Sequence, residues 1–455
     1  YFQKNSPFFF SSNSSGGNVR QTTRGRARAK SFCARALFKH FTKHMFVWYN
    51  KGMLAELTAD QASADKLIAD WYFRSTRQVF VLSGLAGTGK TTLLRHTVCD
   101  TLRLVPDESA AFVTPTGKAA TVLIRQGIPA TTLHRLIYQA MTEERETEIN
   151  GKLVTVEKLV FRRRENIDKA IKLIVLDEFS MVSDEVLSDI MRFGVKMLVC
   201  GDNAQLPPVE GMNSFLTSPD CCLKTIVRQQ EGNPIIQLAR DAMEGRYIPY
   251  GNYGNRAFVL NARRLKPEYR KRHFLKAEQI ICGINKTRAK INDEVRAYLG
   301  FEGLPKSGEK LICTQNNWEQ FIDGEMRYNM VNGIIGFVRD VKYYGESMGF
   351  MTFRADFLDE DCPDVVPFDS GIFENGMYRY RHGDYFEKFD EEGNATGAFT
   401  LNRFEYGYCI SCHKAQGSEF ESAIVFDESY AFKEDANRWL YTAITRAKNK
   451  LIILR

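Results

Sequence analysis

Residues 84–91 read Gly-Leu-Ala-Gly-Thr-Gly-Lys-Thr, a Walker-type phosphate loop. Backbone amides can close around phosphate oxygens where Gly84, Gly87 and Gly89 carry no Cβ, and Thr88 and Thr92 complete the loop and its exit into a helix. The Lys90 ammonium is expected to reach the β- and γ-phosphates, and the Thr91 hydroxyl to ligate Mg²⁺. Further along, the apolar run Leu173-Ile-Val-Leu ends in Asp177-Glu178. The carboxyl edge of a buried strand is where open α/β sheets bind their ligands. There Asp177 would hold Mg²⁺ through water, and Glu178 would orient and deprotonate an attacking water. An isolated acidic pair is more often a solvated helix start, but the strand and the phosphate loop before it favour the catalytic reading. A third run leads into Gly201-Asp-Asn-Ala-Gln205-Leu-Pro-Pro-Val209. An amide on that proline-stiffened turn, Gln205, can sense a γ-phosphate without adding charge. The chemistry these residues imply is binding and hydrolysis of Mg-ATP.

Such a site needs buried strands that deliver loops to one edge. Val79-Phe-Val-Leu-Ser83 is a short apolar run feeding the glycine turn, with helical sequence over residues 92–101 behind it. The same grammar recurs at 110–114, 173–176, 197–200, 279–282, 423–426 and 451–454, and short buried strands alternating with helices predict parallel sheets. Ahead of them, Thr58-Ala-Asp-Gln61 has the pattern of a helix N-cap before an apolar-periodic stretch to Trp71. Two segments break the grammar. Residues about 140–168 are highly charged and carry Asn150-Gly151, a strong hairpin signal. Residues about 301–400 are rich in Gly, Tyr, Phe and Asp in short alternating segments, and read as a small all-β insertion.

Charge is a weaker guide than it looks. The net charge is +7, but residues 1–55 hold ten Lys or Arg and no acid, so the remaining chain has 52 basic against 55 acidic residues. A groove for a polyanion must therefore come from local arrangement. No apolar run approaches the roughly 18–20 residues needed to cross a bilayer, so no membrane is expected as a partner and a soluble, intracellular protein is. Ten unevenly spaced cysteines read as reduced thiols rather than a disulfide frame. Cys409-Ile-Ser-Cys412-His413 has the spacing of a c-type haem attachment, but its His also opens a more coherent motif; neither haem nor zinc is expected. Residues 1–52 are Phe-, Ser-, Gly- and Arg-rich without periodicity. They read as a flexible basic segment: a tag remnant, which the opening Tyr-Phe-Gln resembles, a leader, or a nucleic-acid-binding arm.

Taken in order, these segments resemble the helicase motifs of superfamily 1, in the branch containing RecD and the phage Dda helicase. Gln61 stands where that family has its adenine-recognising glutamine. Thr114-Pro-Thr-Gly-Lys-Ala-Ala120 and Thr131-Thr-Leu-His134 resemble motifs lining the nucleic-acid path, which implies Pro115, Thr116, Lys118, Thr132 and His134 as contacts. Arg228-Gln229 before Pro234, and Tyr441-Thr-Ala-Ile-Thr-Arg446, resemble the two segments that each supply an arginine finger. His413-Lys-Ala-Gln416-Gly-Ser-Glu419 resembles the fifth motif, implying His413 and Lys414 at the nucleic acid and Glu419 at the nucleotide. Cys409 and Cys412 then become core-filling residues of its leading strand.

The resemblance implies an α/β protein with two RecA-like parallel-sheet P-loop domains, at residues 53–215 and at 216–300 plus 401–455. A β-hairpin wedge would occupy about 140–168, with Phe161 as an apolar tip or support. An SH3-like β insertion would occupy 301–400, with Asn332-Gly333 in its first strand and Asn332 at the nucleic acid. Tyr343, Tyr344, Tyr378, Tyr380 and Tyr385 could stack on bases there, or pack the insertion. The activity implied is an ATP-dependent DNA helicase moving 5′ to 3′ on single-stranded DNA and opening junctions, with replication or recombination proteins as further partners. Two alternatives remain open: a translocase that remodels protein–DNA complexes without unwinding, and a motor subunit of a larger nuclease or recombination complex.

Overall fold

The computed structural model describes residues 57–149, 152–208, 213–227, 233–322, 329–343, 350–357, 360–361, 365–380, 385–389 and 395–455. One large unit comprises Thr58–Tyr380 with Asn402–Arg455; a second takes in Tyr1–Leu57 and Arg381–Leu401.

In the large unit the chain begins with helix Ala59–Arg74 and continues through β1 (Val79–Gly84), β2 (Ala110–Thr114), β3 (Ala130–Thr132), the pair β4 (Tyr138–Ile149) and β5 (Lys152–Arg163), β6 (Leu173–Leu176), β7 (Lys196–Gly201) and β8 (Cys221–Leu223). Six of these form a parallel sheet in the order β3-β2-β6-β7-β1-β8. Its central strands are apolar on both faces because helices cover both: Leu173, Ile174, Val175 and Leu176 of β6 are all fully buried. Since β7 lies between β6 and β1, the loops after all three strands emerge side by side at one edge.

The remaining strands are β9 (Gly251–Tyr253), β10 (Ala257–Leu260), β11 (Gln279–Cys282), β12 (Lys310–Cys313), β13 (Asn317–Phe321), β14 (Asn329–Met330), β15 (Ile335–Tyr343), β16 (Phe350–Phe357), β17 (Glu360–Asp361), β18 (Val366–Asp369), β19 (Tyr385–Phe389), β20 (Ala395–Thr400), β21 (Phe404–Tyr406), β22 (Cys409–Ser411), β23 (Phe420–Phe426) and β24 (Ala447–Leu454). A second sheet has the order β22-β11-β23-β24-β10-β9, parallel except for the β9–β10 pair. Between β11 and β22 the chain builds an antiparallel sheet, β17-β16-β15-β12-β21 with β18 on β16. Phe353, Phe357, Phe368 and Phe404 fill its core. This β insertion draws in β21, so its sheet runs past residue 400. In the second unit β19 and β20 pair antiparallel.

The alternating grammar read from the sequence corresponds to these strands, with small differences at the ends. The helix after the phosphate loop runs Lys90–His96 and then widens into a π-turn, Thr97–Thr101, where the sequence predicts one helix over 92–101. The pairing of β4 with β5 runs to Ile149 opposite Lys152, and residues 150–151 between them lie outside the described residues. Phe161 lies opposite Ala140, near the root of the hairpin, so it is not the tip; its side chain is outside the described residues. Cys409 and Cys412 are fully buried, as core-filling residues should be.

The β insertion is fastened to the second sheet by a buried ion pair. Arg296, on helix Asn285–Leu299, donates from Nε to Glu309 Oε1 at 2.6 Å and stacks its guanidinium 4.0 Å from the centre of the Tyr406 ring. Glu309 is fully buried. Removing one partner of such a pair strands the other charge in a low-dielectric site. Glu309→Ala is therefore expected to lower unfolding free energy by about 3–5 kcal/mol, read as a shift of the urea midpoint.

Candidate functional site

The phosphate loop leaves β1 and turns through Gly87 at φ 82° and Gly89 at φ 74°, both left-handed. Lys90 Nζ donates to the Gly84 and Leu85 carbonyls at 2.8 and 3.1 Å, so the ammonium lies inside the loop. Gln61 reaches the same loop from helix Ala59–Arg74. Its Oε1 accepts from the Thr58 amide at 3.0 Å, closing a capping box, and its Nε2 donates to Thr88 O at 2.9 Å. One buried amide thus caps the helix and braces the loop. Asp60 beside it takes the amides of Lys224 and Thr225 at 2.9 Å each. Burial works to raise its carboxyl, but the hydrogen bonds from Thr58, Thr225 and Lys224 prevail and hold it at about 2.

Asp177 and Glu178 follow β6 at the neighbouring edge. The Thr91 hydroxyl donates to Asp177 Oδ2 at 3.4 Å, and the Glu178 amide to Oδ1 at 2.9 Å. Burial, with Glu178 alongside, pushes the Asp177 carboxyl up to about 6 against the pull of Lys90. Glu178 sits at φ 56°, a left-handed conformation that costs a non-glycine residue energy and is typical of functional turns. Its Oε2 and Gln205 Oε1 are buried without a hydrogen-bond partner among the described residues. A hydroxyl, two carboxylates and orphaned acceptor oxygens form a donor set suited to a hard divalent cation. Thr91 and Asp177 would hold Mg²⁺, which when bound would neutralise phosphate charge.

The turn after β7 leaves its own sheet. Asp202 Oδ2 accepts from the Tyr441 hydroxyl at 2.6 Å, and that hydroxyl in turn accepts from the Ala86 amide of the phosphate loop at 3.2 Å. The Leu206 amide donates to Thr442 Oγ1 at 3.0 Å, and Gln416 Nε2 donates to the Leu206 carbonyl at 3.3 Å. Ala204 and Leu206 pack into the core of the second sheet with Trp439, Tyr441 and Ile444. Arg446 is buried; its guanidinium donates to Thr442 O, Ser418 O and Thr445 Oγ1 at 3.0–3.1 Å. It braces helix Ala436–Ile444 to the loop after β22, and would have to turn from these acceptors to reach a phosphate. Arg228 lies outside the described residues, but Val227 before it donates its amide to Gly87 O at 2.9 Å. Ala86, Gly87, Ile235, Arg240, Glu419 and Tyr441 line a pocket beside the loop. Tyr441, Asp202 and Arg240 were not singled out from the sequence. Tyr441 and Asp202 stood in quoted motifs; Arg240 gives no signal beyond helical spacing.

The residues expected along a nucleic-acid path divide. Thr116 caps helix Gly117–Arg125 by accepting from the Ala119 amide at 3.2 Å, and Pro115 precedes it. A Cβ on Gly117 would stand 2.5 Å from Val331 Cβ, and one on Gly417 3.3 Å from Ala119 Cβ. That helix therefore abuts both the β insertion, next to exposed Asn332, and the loop after His413 and Lys414. Lys118 lies over the Phe420 ring at 5.6 Å; burial and the nearby Lys310 push its ammonium down to about 7. Thr132 is buried and caps the next short helix through the Arg135 amide, so its hydroxyl is occupied. His134, exposed, rests 5.5 Å from the Tyr138 ring, and His413 5.8 Å from Phe432. Among the tyrosines, Tyr378 bonds Thr314 and lies under Arg403 at 4.4 Å, which is packing. Tyr344, and the side chain of Tyr385, lie outside the described residues.

An AAA domain family matches residues 56–261, and a UvrD-like helicase C-terminal domain matches 406–454. The chain is 25% identical over 397 residues to the ATP-dependent RecD2 DNA helicase of Deinococcus radiodurans, covering 82% of this chain and 46% of that one. It is 26% identical over 319 residues to the ATP-dependent DNA helicase Pif1 of Campylobacter jejuni, 62% of this chain and 68% of that one. The fold matches Bacteroides Pif1 bound to single-stranded DNA with a TM-score of 0.50 at 17% identity, over 88% of this chain and 92% of that one. In sequence and fold the chain is similar to RecD- and Pif1-type DNA helicases. It spans less than half the length of some relatives: 46% of RecD2, and 36% of an uncharacterized protein of Methanocaldococcus jannaschii that is 25% identical over 83% of this chain. In this RecD/Pif1-like chain the loop and the glutamine before it leave little slack. A Cβ on Gly89 would stand 2.6 Å from Gln61 Nε2, in a left-handed conformation. Gly89→Ala is expected to weaken binding of a fluorescent ATP analogue about tenfold or more, from backbone strain of ~1–3 kcal/mol.

Proposed function

We propose that this chain is an ATP-dependent DNA helicase that translocates 5′ to 3′ on single-stranded DNA and separates duplex at junctions. The observation that carries the reading is the Tyr441 hydroxyl between Ala86 and Asp202. It joins the phosphate loop and the γ-phosphate-sensing turn of the first sheet to the helix of the second sheet that leads to Arg446. A hydrolytic site built across two lobes makes turnover depend on their relative position, and a cleft that alternates can step along a strand.

In this mechanism the phosphate-loop amides and Lys90 bind the triphosphate, Gln61 meets the adenine, and Gln205 senses the γ-phosphate. Glu178 Oε2, free of other partners among the described residues, accepts the proton of the attacking water. Thr91 and Asp177 hold Mg²⁺. Arg228 and Arg446 supply positive charge to the developing transition state once the lobes close, with Glu419 coupling the loop after β22 to the nucleotide. Pro115, Thr116, Lys118, Asn332, His413 and Lys414 follow the strand, with His134 towards the hairpin. The hairpin β4–β5 acts as the wedge, Phe161 supporting it from the root.

The direct test measures ATP hydrolysis with and without oligo-dT, then unwinding of duplexes bearing a 5′ or a 3′ tail. Stimulation with 5′-tail preference is expected. Stimulation without unwinding would make the chain a translocase or a subunit needing a partner, and turnover indifferent to oligo-dT would refute the motor. Lys90→Ala should abolish turnover, and Glu178→Gln should bind ATP yet hydrolyse it at least a hundredfold more slowly, within the usual worth of a general base. Phe161→Ala is expected to reduce unwinding several-fold more than hydrolysis; equal loss of both would assign it to folding.

A further inference from the structure

The N-terminal end of helix Asn285–Leu299 faces the loop after β22, and its amides are already used. Glu428 is buried and takes the Gly283 and Ile284 amides at 2.8 Å each, and the Thr287 hydroxyl at 2.5 Å. One turn further in, Arg288 is not consumed in that way. Its Nη1 donates to Glu405 Oε2, and Lys414 Nζ approaches the same oxygen at 3.5 Å. The Arg288 Nε is buried with no acceptor among the described residues. The three side chains are 20–29% exposed, so solvent reaches them. A single carboxylate oxygen held between a guanidinium and an ammonium has the surroundings of a phosphate oxygen. The trio carries one positive charge more than it neutralises, and Lys414 is held down to about 8 by burial and by Arg288.

Glu405 comes from β21, whose partner is β12 of the β insertion, while Arg288 and Lys414 come from the second-sheet region. The carboxylate therefore belongs to a different element from the two cations it bridges.

We propose that Arg288 and Lys414 form a phosphate-binding pair for the single-stranded nucleic-acid backbone, and that Glu405 occupies this pair as an internal substitute which the backbone displaces. The inference rests on the helicase reading and adds Arg288 as a contact and Glu405 as a competitor. Binding must then open one ion pair before it gains another, so the carboxylate lowers affinity for nucleic acid.

The test exploits the fact that Arg288→Ala and Glu405→Gln break the same ion pair. Binding of fluorescent oligo-dT to the full chain is titrated at several salt concentrations, with thermal melting as a check on folding. Arg288→Ala is expected to weaken binding several-fold and to flatten the plot of log affinity against log salt by about 0.7, the value of one single-strand phosphate contact. Glu405→Gln is expected to tighten binding several-fold. Arg288→Lys, which keeps the charge, should retain most of the salt slope. If both Arg288→Ala and Glu405→Gln weaken binding, or neither changes it, while wild type binds, the pair is a structural brace and the inference is wrong. If folded wild type itself does not bind oligo-dT, the helicase reading falls and takes this inference with it.

Discussion

One hydroxyl sets the terms for the rest of the molecule. Tyr441 Oη takes the amide of Ala86 and gives its proton to Asp202, so three segments far apart in sequence are tied at one atom. Burial and the adjacent Asp202 push the phenol well above its ordinary range, which keeps it a donor towards the carboxylate. Any change in the separation of the two parallel sheets must stretch this contact or carry the phosphate loop with it. The neighbouring bonds act in the same sense: Leu206 is held by Thr442 and Gln416, and its side chain lies in the second sheet's core. The turn after β7 thus belongs by covalent chain to one sheet and by packing to the other.

This arrangement explains why the polar groups at the loop edges are partly unsatisfied. Buried acceptors normally find donors, and leaving one bare costs about 1–3 kcal/mol. Among the described residues Glu178 Oε2 and Gln205 Oε1 have no partner, while Asp177, Asp202 and Gln61 each hold hydrogen bonds. The difference separates two kinds of residue in one site. Asp202 uses its hydrogen bonds to hold its loop in place, and Gln61 would have to release its own to meet an adenine; Glu178 and Gln205 keep a lone pair for something that arrives. In the proposed cycle the arrival is the attacking water, which can donate to either oxygen, while Gln205 meets the γ-phosphate through its Nε2.

How far the sequence reveals this depends on the range of the interaction. Repeating apolar runs made the parallel strands legible, because burial on both faces demands them, and the phosphate loop followed from its glycines and lysine. Gln61 was visible as a cap, but its bond to Thr88 was not, since nothing local marks a contact 27 residues away. Tyr441 and Asp202 were quoted as letters of motifs without a role, because their bond spans 239 residues and no periodicity records it. Of the two roles offered for Phe161, tip or support, the pairing removes the first: Ile149 lies opposite Lys152, and counting back from there puts Phe161 opposite Ala140 at the root. Thr132, read as a nucleic-acid contact, caps a helix through its hydroxyl, as Thr116 does, a use of threonine that one sequence does not reveal.

The β insertion completes the mechanical picture. It is clamped to the second sheet region by Arg296 and Glu309, and by Lys310, which donates to Glu278 O and Gln279 Oε1. On its other side Val331 presses on Gly117 so closely that no Cβ fits between them. The first contact set is charged, buried and directional; the second is a single van der Waals surface. Ion pairs of that kind resist sliding, whereas an apolar contact tolerates it at small cost. If the sheets shift, the insertion should travel with the second and slide on the first. Its closing strand β21 runs, after only Gly407 and Tyr408, into β22 and the loop carrying His413 and Lys414. The insertion and the loop proposed to grip the strand are therefore one continuous stiff piece of chain, and movement of either is felt by the other.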